Sequence, residues 1–301
     1  MSRPTLHLLV TFDAQYIPPF QTMLASAVEN TPGTSFHVWL LHSAIPREEL
    51  DRLGTFCQAL GAEFTPLEVD RALFAGAPVS RQYPQEMYYR LLAPHLLPDS
   101  LHRVLYLDPD ILVINSLAPL WETDLQGNLF AAASHTTVSD LVNGINRIRL
   151  NTEQDYYNTG VLLIDLDLGR DAIHPQEIFR HVTEHQAELL LPDQDVFNAL
   201  YGSRTLWLDD ALWNYDARYF HGYFLRSNGT YTMDWVVEHT AILHFCGKRK
   251  PWKKAYSGRF SALYKHYAHR TRRAIGSQRT SFGMYQVRPA PSKEGGRPCC
   301  Y

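Results

Sequence analysis

Apolar and polar positions alternate in blocks at a steady rhythm over the first seventy residues. Residues 5–12 are a short, mostly apolar run stopped by Asp13, the pattern of a buried strand. Residues 17–33 follow as a helix, with Pro18 and Pro19 near its start and Asn30, Pro32 and Gly33 at its end. A second apolar run at 35–42, an amphipathic helix over 45–61 with Pro46 in its first turn, and a third run at 62–69 complete the series. Strand–helix–strand–helix–strand at this spacing predicts βαβ units and a parallel sheet.

Farther along, a helix is expected over 84–96, ending before Pro98, and a fourth strand over 104–113. Short strands follow at 129–134 and 160–166, then a helix over 192–202 closed by Gly202. Residues 204–215 mix strand and loop, 240–245 form the last strand and 258–273 the last helix. The polar segment 136–157 has no clear period and, with 216–238, is expected to form lids or acceptor loops. Residues 276–301, rich in Gly, Pro, Ser and Arg, read as a disordered tail. With no repeat and no linker before that tail, one α/β domain over 1–275 is expected.

The fourth strand poses a chemical problem. Its sequence, VLYLDPDILV, sets Asp108 and Asp110 in an otherwise apolar run, and buried carboxylates are costly unless paired, hydrogen-bonded or bound to metal. In a strand, residues i and i+2 share a face, so both carboxylates can project together from its carboxyl end, where open α/β sheets bind ligands. Pro109 between them pushes Asp108 toward extended geometry. Two hard oxygen donors suit Mg²⁺ or Mn²⁺ with phosphate oxygens completing the shell; a strand-ending Asp-Pro-Asp turn is the plainer alternative.

Composition changes the picture in two ways. At 301 residues and 45% hydrophobic the chain can bury a sizeable core, and a net charge of −3 points away from nucleic acid. That charge is unevenly spread: no lysine precedes Lys248, whereas residues 248–279 hold eleven basic residues and no acid. Such a block predicts an anionic ligand, an anionic membrane surface, or both. Four cysteines without framework spacing, and no run long enough to span a bilayer, lead to the expectation of a cytoplasmic protein, with peripheral contact at the inner membrane face through 248–273.

Within the basic block lies HFCGKRKPW, residues 244–252. His244 ends an apolar strand, Gly247 allows close backbone approach, and Lys248, Arg249 and Lys250 begin the basic cluster. An imidazole to complete a metal shell and ammonium groups to hold a diphosphate form one coherent set with the two aspartates. A haloacid-dehalogenase-like phosphatase also carries DxD after a strand. It expects Thr or Val where this chain has Leu112, and a lysine between the motif and a later acidic pair; Asp209–Asp210 is such a pair, but no lysine precedes 248.

In these motifs the chain resembles glycosyltransferase family 8, which includes bacterial lipooligosaccharide galactosyl- and glucosyltransferases and glycogenin. The resemblance covers about residues 6–260: LLVTFDAQY, YYRLLAPHLLP, LYLDPDILV, YYNTGVLLIDL, LPDQDVFN and HFCGKRKPW occur in the family's order. It implies a Rossmann-like GT-A fold with a mainly parallel central sheet. It further implies Mn²⁺ (or Mg²⁺), a UDP-sugar donor, a glycan or glycolipid acceptor, and transfer of glucose or galactose with retention. Asp108, Asp110 and His244 match the metal ligands, with Asp108 also at the donor; Thr11, Asp13, Gln15 and Tyr16 match the uridine pocket. Gln15 stands where some members have Asn. Arg90 matches a basic residue near the donor sugar, Gly247 and Lys250 the diphosphate grip, and Asn158, Asp193 and Gln194 the surroundings of the transferred sugar. Asp193 and Gln194 are thereby the catalytic candidates. The plainer local readings of these residues stay open beside the resemblance: helix capping for Asp13 and Tyr16, an N-cap role for Asp193 that can coexist with binding a hydroxyl, and turn formation for Asn158. His135 replaces an acid that related galactosyltransferases place near the sugar hydroxyls. A non-catalytic nucleotide-sugar- or glycan-binding descendant is the alternative.

Overall fold

The N-terminal βαβ rhythm closes into the sheet it predicts. A computed structural model of the protein describes residues 3–70, 74, 77, 86–135 and 140–283. Strand β1 (Thr5–Thr11), helix α1 (Ile17–Asn30), β2 (Ser35–His42), α2 (Arg47–Ala59) and β3 (Glu63–Glu68) follow in order. Two short helices, α3 (Glu86–Tyr89) and α4 (Ala93–Leu96), precede β4 (Arg103–Leu107) and β5 (Ile111–Val113). Then come α5 (Ala118–Trp121), β6 (Phe130–Ser134), α6 (Asp140–Leu150), β7 (Tyr157–Asp165), α7 (Leu166–Ala172), α8 (Pro175–Glu184) and α9 (Pro192–Tyr201). The C-terminal part holds β8 (Thr205–Leu208), α10 (Asp210–Trp213), β9 (Tyr215–Asp216), α11 (Phe220–Arg226), α12 (Met233–His239), β10 (Ile242–His244) and α13 (Ser261–Gly283).

Seven strands form the main sheet in the order β3-β2-β1-β4-β7-β6-β8, and β5-β10-β9 form a second, small sheet. In the main sheet β7 is antiparallel to both neighbours, β4 and β6, while the other neighbouring pairs are parallel. Because the side-chain period of a strand is two, each central strand feeds two cores. Leu8, Val10, Leu105 and Leu107 enter the layer under α1 and α2. Leu9, Val104 and Tyr106 enter the opposite layer with Tyr88, Phe130 and Phe197. A third cluster, including Leu112, Tyr215, Leu243, Phe245 and Tyr264, lies around the small sheet.

Four expectations are corrected. The helix over 84–96 is broken at Arg90–Leu92, because Pro94 disfavours helical geometry just before it and is accepted only in the first turn of a new helix. The strand over 104–113 is two strands in different sheets: Pro109 has no N–H to continue the ladder. The segment 136–157 contains α6, and 216–238 contains α11 and α12; residues 136–139 lie outside the described residues. Finally, α13 runs to Gly283 rather than 273, since propagating a helix adds one hydrogen bond per residue fixed and no proline intervenes. Of the tail expected from 276, residues 284–301 lie outside the described residues. Among the described residues, no helix is long and apolar enough to cross a membrane.

Candidate functional site

The turn between β4 and β5 joins three segments. Asp108 N–H donates to the Gly160 carbonyl at 2.8 Å, and Phe245 N–H donates to the Asp110 carbonyl at 3.0 Å. Because β7 runs antiparallel to β4, its first residues lie at the carboxyl end of β4, with Leu107 opposite Val161. In the same way β10 is antiparallel to β5 and pairs His244 with Ile111. Two antiparallel pairings thus carry Asn158–Gly160 and His244 to the two aspartates.

The side chains converge. His244 Nε2 lies 3.3 Å from Asp110 Oδ1 and 3.8 Å from Asp108 Oδ2. The three possible ligand atoms all lie within 4.8 Å of one another, with Asp110 and His244 buried. Gly160 leaves the necessary room: a Cβ there would sit 2.3 Å from His244 Cε1 and 2.8 Å from Asp108 Oδ2. Burial alone would raise the Asp110 pKa, but His244 and then Lys250 hold it well below the usual carboxylate range. Lys250 Nζ contacts Asp110 Oδ2 directly and donates to the Phe245 carbonyl at 3.0 Å. An ammonium thus already balances these carboxylates. Two carboxylates plus one imidazole fit a small divalent cation of mixed O and N preference. His244 is shared with a second possible ligand set, His135 and Cys246. Burial pushes the Cys246 thiol up, and the two hard carboxylates suit Mg²⁺ or Mn²⁺ better than a soft sulfur does.

An amide chain orients the imidazole. His244 Nδ1 is 2.9 Å from Asn214 Oδ1, Asn214 Nδ2 donates to Asn158 Oδ1 at 2.9 Å, and Asn158 Nδ2 donates to Gln194 Oε1 at 3.1 Å. With Asn214 Oδ1 able only to accept, Nδ1 carries a proton. Burial would lower the His244 pKa, but Cys246 and Asp110 hold it well above the ordinary imidazole value, so the Nε2 lone pair is freed for a metal when the ion displaces the Nε2 proton. Gly160 N–H also donates to Asn158 Oδ1 at 3.0 Å. Asn214 is fully buried. Sequence reasoning missed it: a lone Asn in WNYDAR has no spacing that distinguishes it.

Arg90 sits on the other side of Asp108. Its Nη1 donates to the Thr159 carbonyl at 3.0 Å and lies 3.2 Å from Asp108 Oδ1 and 3.5 Å from Asp193 Oδ2. The guanidinium lies over the Tyr106 ring, 4.6 Å from its centroid, and the Tyr106 hydroxyl donates to Asp108 Oδ1 at 2.5 Å. The break between α3 and α4, the chief surprise of this region, is therefore what carries Arg90. Asp193 and Gln194 stand in the first turn of α9, held by Arg149, which bridges both Asp195 oxygens at 2.7 and 2.8 Å.

The expected nucleotide residues lie at the end of β1. Thr11 is buried and its hydroxyl has no hydrogen-bond partner, as a group awaiting a ligand would be. Asp13 accepts from Gln15 N–H at 2.8 Å and caps the short turn before α1. Tyr16 meets Trp252 edge-on at 5.8 Å between centroids, so the start of α1 and the 244–252 segment approach each other. Gly247 adopts φ 78°, a conformation that favours glycine.

Several local roles are settled. Leu191 is the N-cap of α9, and Asp195, not Asp193, accepts from the Leu190 and Leu191 N–H groups at 2.6 and 2.9 Å. Asn158 lies on β7, not in a turn. Asp209 caps α10, while Asp210 accepts from Arg226 and Tyr223 at 2.8 and 2.9 Å; both have structural roles, which removes the acidic pair a phosphatase requires.

The sequence pattern of glycosyl transferase family 8 matches residues 7–255. Among curated relatives, general stress protein A of Bacillus subtilis is 26% identical over 270 residues, 87% of this chain and 92% of that protein. A lipopolysaccharide 1,2-glucosyltransferase of Escherichia coli is 23% identical over 252 residues, 83% and 73% of the two chains. Among solved structures, the galactosyltransferase LgtC in complex with donor and acceptor sugar analogs superposes with a TM-score of 0.73 at 22% identity, over 88% of this chain and 95% of that one.

Proposed function

This chain belongs to glycosyl transferase family 8 and has the Rossmann-like GT-A fold, and we propose that it is a metal-dependent, retaining hexosyltransferase using a UDP-sugar. The observation that carries this reading is the convergence of Asp108, Asp110 and His244 Nε2 from separate elements. In our reading these three hold Mn²⁺, which when bound supplies charge stabilisation for the departing diphosphate.

The chain's own groups take the remaining roles. Thr11, Asp13, Gln15 and Tyr16 receive the uridine: the phenol ring stacks on uracil, and a carboxylate accepts from its imide N–H. Lys250, which balances Asp110 here, turns to the diphosphate beside the Gly247 backbone. Arg90 keeps Asp108 and Asp193 oriented toward the donor sugar. Asn158, Asp193 and Gln194 hold sugar hydroxyls around the anomeric carbon. Asp193 is engaged by Arg90 and by the Thr159 hydroxyl at 3.4 Å, and Gln194 is a neutral amide, so neither is a strong nucleophile. This favours attack on the same face, with the leaving phosphate taking the acceptor proton.

The acceptor in this reading is a growing glycan on a lipid. That places the protein in the cytoplasm at the inner membrane face, in line with the lipopolysaccharide role named for one relative. Exposed Lys253, Lys254, Lys265 and Arg272 provide a contact with anionic lipid. We treat residues 1–275 as one catalytic domain.

The test is release of UDP from UDP-glucose and UDP-galactose with Mn²⁺, with and without saccharide acceptors, followed by determination of the product anomer. Retention with one donor preferred is expected, and Ca²⁺ should support less turnover than Mn²⁺. Full turnover in excess EDTA, or no release from any UDP-sugar, would overturn the proposal.

A further inference from the structure

A cavity of about 800 Å³ opens beside Gly247, and its lining includes Arg218, His221, Lys248, Arg249 and Arg259. That volume lies within the range of small-ligand sites, about 300–1,000 Å³. No acidic residue lines it. Of the residues assigned above to the donor, only Gly247 does; Thr11, Tyr16, Asp108 and Lys250 do not line it.

The charge of the cavity is largely unbalanced. Arg218 is the exception, its Nε and Nη2 donating to buried Asp216 at 2.9 and 2.6 Å. This fork fixes the guanidinium and leaves Nη1 directed at Gly247, where an added Cβ would lie 2.8 Å away. Arg259 lies over the Phe220 ring, 4.2 Å from its centroid. Among the described residues, no ion pair engages Lys248, Arg249 or Arg259. Cationic groups gathered in a concave site without counter-charge raise each other's energy, and an anion relieves that repulsion.

The position links the cavity to transfer. Cys246 lines it, and the Cys246 sulfur lies within 4.8 Å of the ligand nitrogen of His244. A sugar bound here would therefore lie beside His244, one of the metal ligands. We propose that this cavity binds the acceptor, and that the acceptor sugar bears a phosphate or carboxylate held by Lys248, Arg249, Arg259 and Arg218 Nη1. The inference rests on the glycosyltransferase reading for the word acceptor, while the anionic sugar site rests on the cavity itself.

The experiment is calorimetric titration of the full chain, with and without UDP and Mn²⁺, by glucose, glucose 6-phosphate, glucuronate and glycerol phosphate. Glucose 6-phosphate and glucuronate should bind at least about tenfold tighter than glucose, the scale of one charge-assisted hydrogen bond. Added salt should shrink the difference, and bound UDP should leave it in place. The double variant Lys248→Gln/Arg259→Gln should bring both anionic sugars close to glucose, and circular dichroism checks that it folds. Equal binding of glucose and its anionic forms overturns the inference, as does an unaffected double variant. Glycerol phosphate binding as well as glucose 6-phosphate assigns the cavity to a bare phosphate or lipid headgroup and overturns the sugar site. Exclusion by UDP assigns it to the donor and overturns it likewise. Failure of UDP itself to bind sinks the donor reading instead, and the saccharide series without UDP still decides this one.

Discussion

Replacing Asn214 tests whether the amide chain prepares the metal site. In Asn214→Ala the His244 Nδ1–H loses its acceptor at 2.9 Å and Asn158 Oδ1 loses a donor at 2.9 Å. Both are in or beside buried structure: His244 is 3% exposed and Asn214 fully buried. A buried polar group left unsatisfied costs about 1–3 kcal/mol, and here that group is the His244 Nδ1–H. Asn158 keeps the Gly160 N–H on the same oxygen, which puts the loss toward the lower end. Removing the partner that orients a metal-binding histidine weakens metal affinity about 10–100-fold, or about 1.4–2.7 kcal/mol. Asn214→Asp is the paired control. Its carboxylate still accepts from His244, but it has no N–H for Asn158, so it should keep Mn²⁺ affinity within about threefold while disturbing Asn158 and Gln194. The assay is Mn²⁺ binding by calorimetry, with thermal unfolding to separate stability from affinity. If Asn214→Ala binds Mn²⁺ as tightly as the wild type, the histidine does not depend on this chain and the reasoning fails.

Other outcomes follow from the same geometry. Asp110→Asn and His244→Ala should each abolish turnover, and Asp110→Asn should also lower thermal stability because it leaves Lys250 and His244 without their buried counter-charge; near-native kcat in either would refute the ligand assignment. Gly160→Ala should reduce metal affinity sharply, since the new Cβ falls 2.3 Å from His244 Cε1 and 2.8 Å from Asp108 Oδ2; unchanged Mn²⁺ binding would show that both side chains yield freely. Changing Lys253, Lys254, Lys265 and Arg272 to Gln should weaken sedimentation with anionic vesicles by up to about 4 kcal/mol, at about 1 kcal/mol per basic residue near the surface, with little change in UDP-sugar hydrolysis. A wild type that does not sediment, or a variant that sediments equally, would remove the membrane contact.

Much of the architecture was legible in the chain because local patterns carry it. The apolar runs at 5–12, 35–42 and 62–69, separated by capped amphipathic helices, could form little but parallel βαβ units. The two motifs around Asp108 and His244 were readable for the same reason: carboxylates, imidazole and lysine in apolar or glycine-bearing contexts have few inexpensive explanations. What the sequence could not carry was direction and partnership. Nothing in VLYLDPDILV shows that Pro109 divides two sheets, or in YYNTGVLLIDL that the strand runs backwards and so delivers its first residues to the site. Asn214, Gly160 and the interrupted helix that carries Arg90 acquire meaning only when segments distant in the chain meet. Charge followed the same division. Composition located a basic block after residue 247, but only the fold separated Lys250, which lies on Asp110, from Lys248 and Arg259, which face a different cavity. Patterns of hydrophobicity specify which elements form because burial is decided residue by residue; the site depends on pairings across the sheets, which no local pattern encodes.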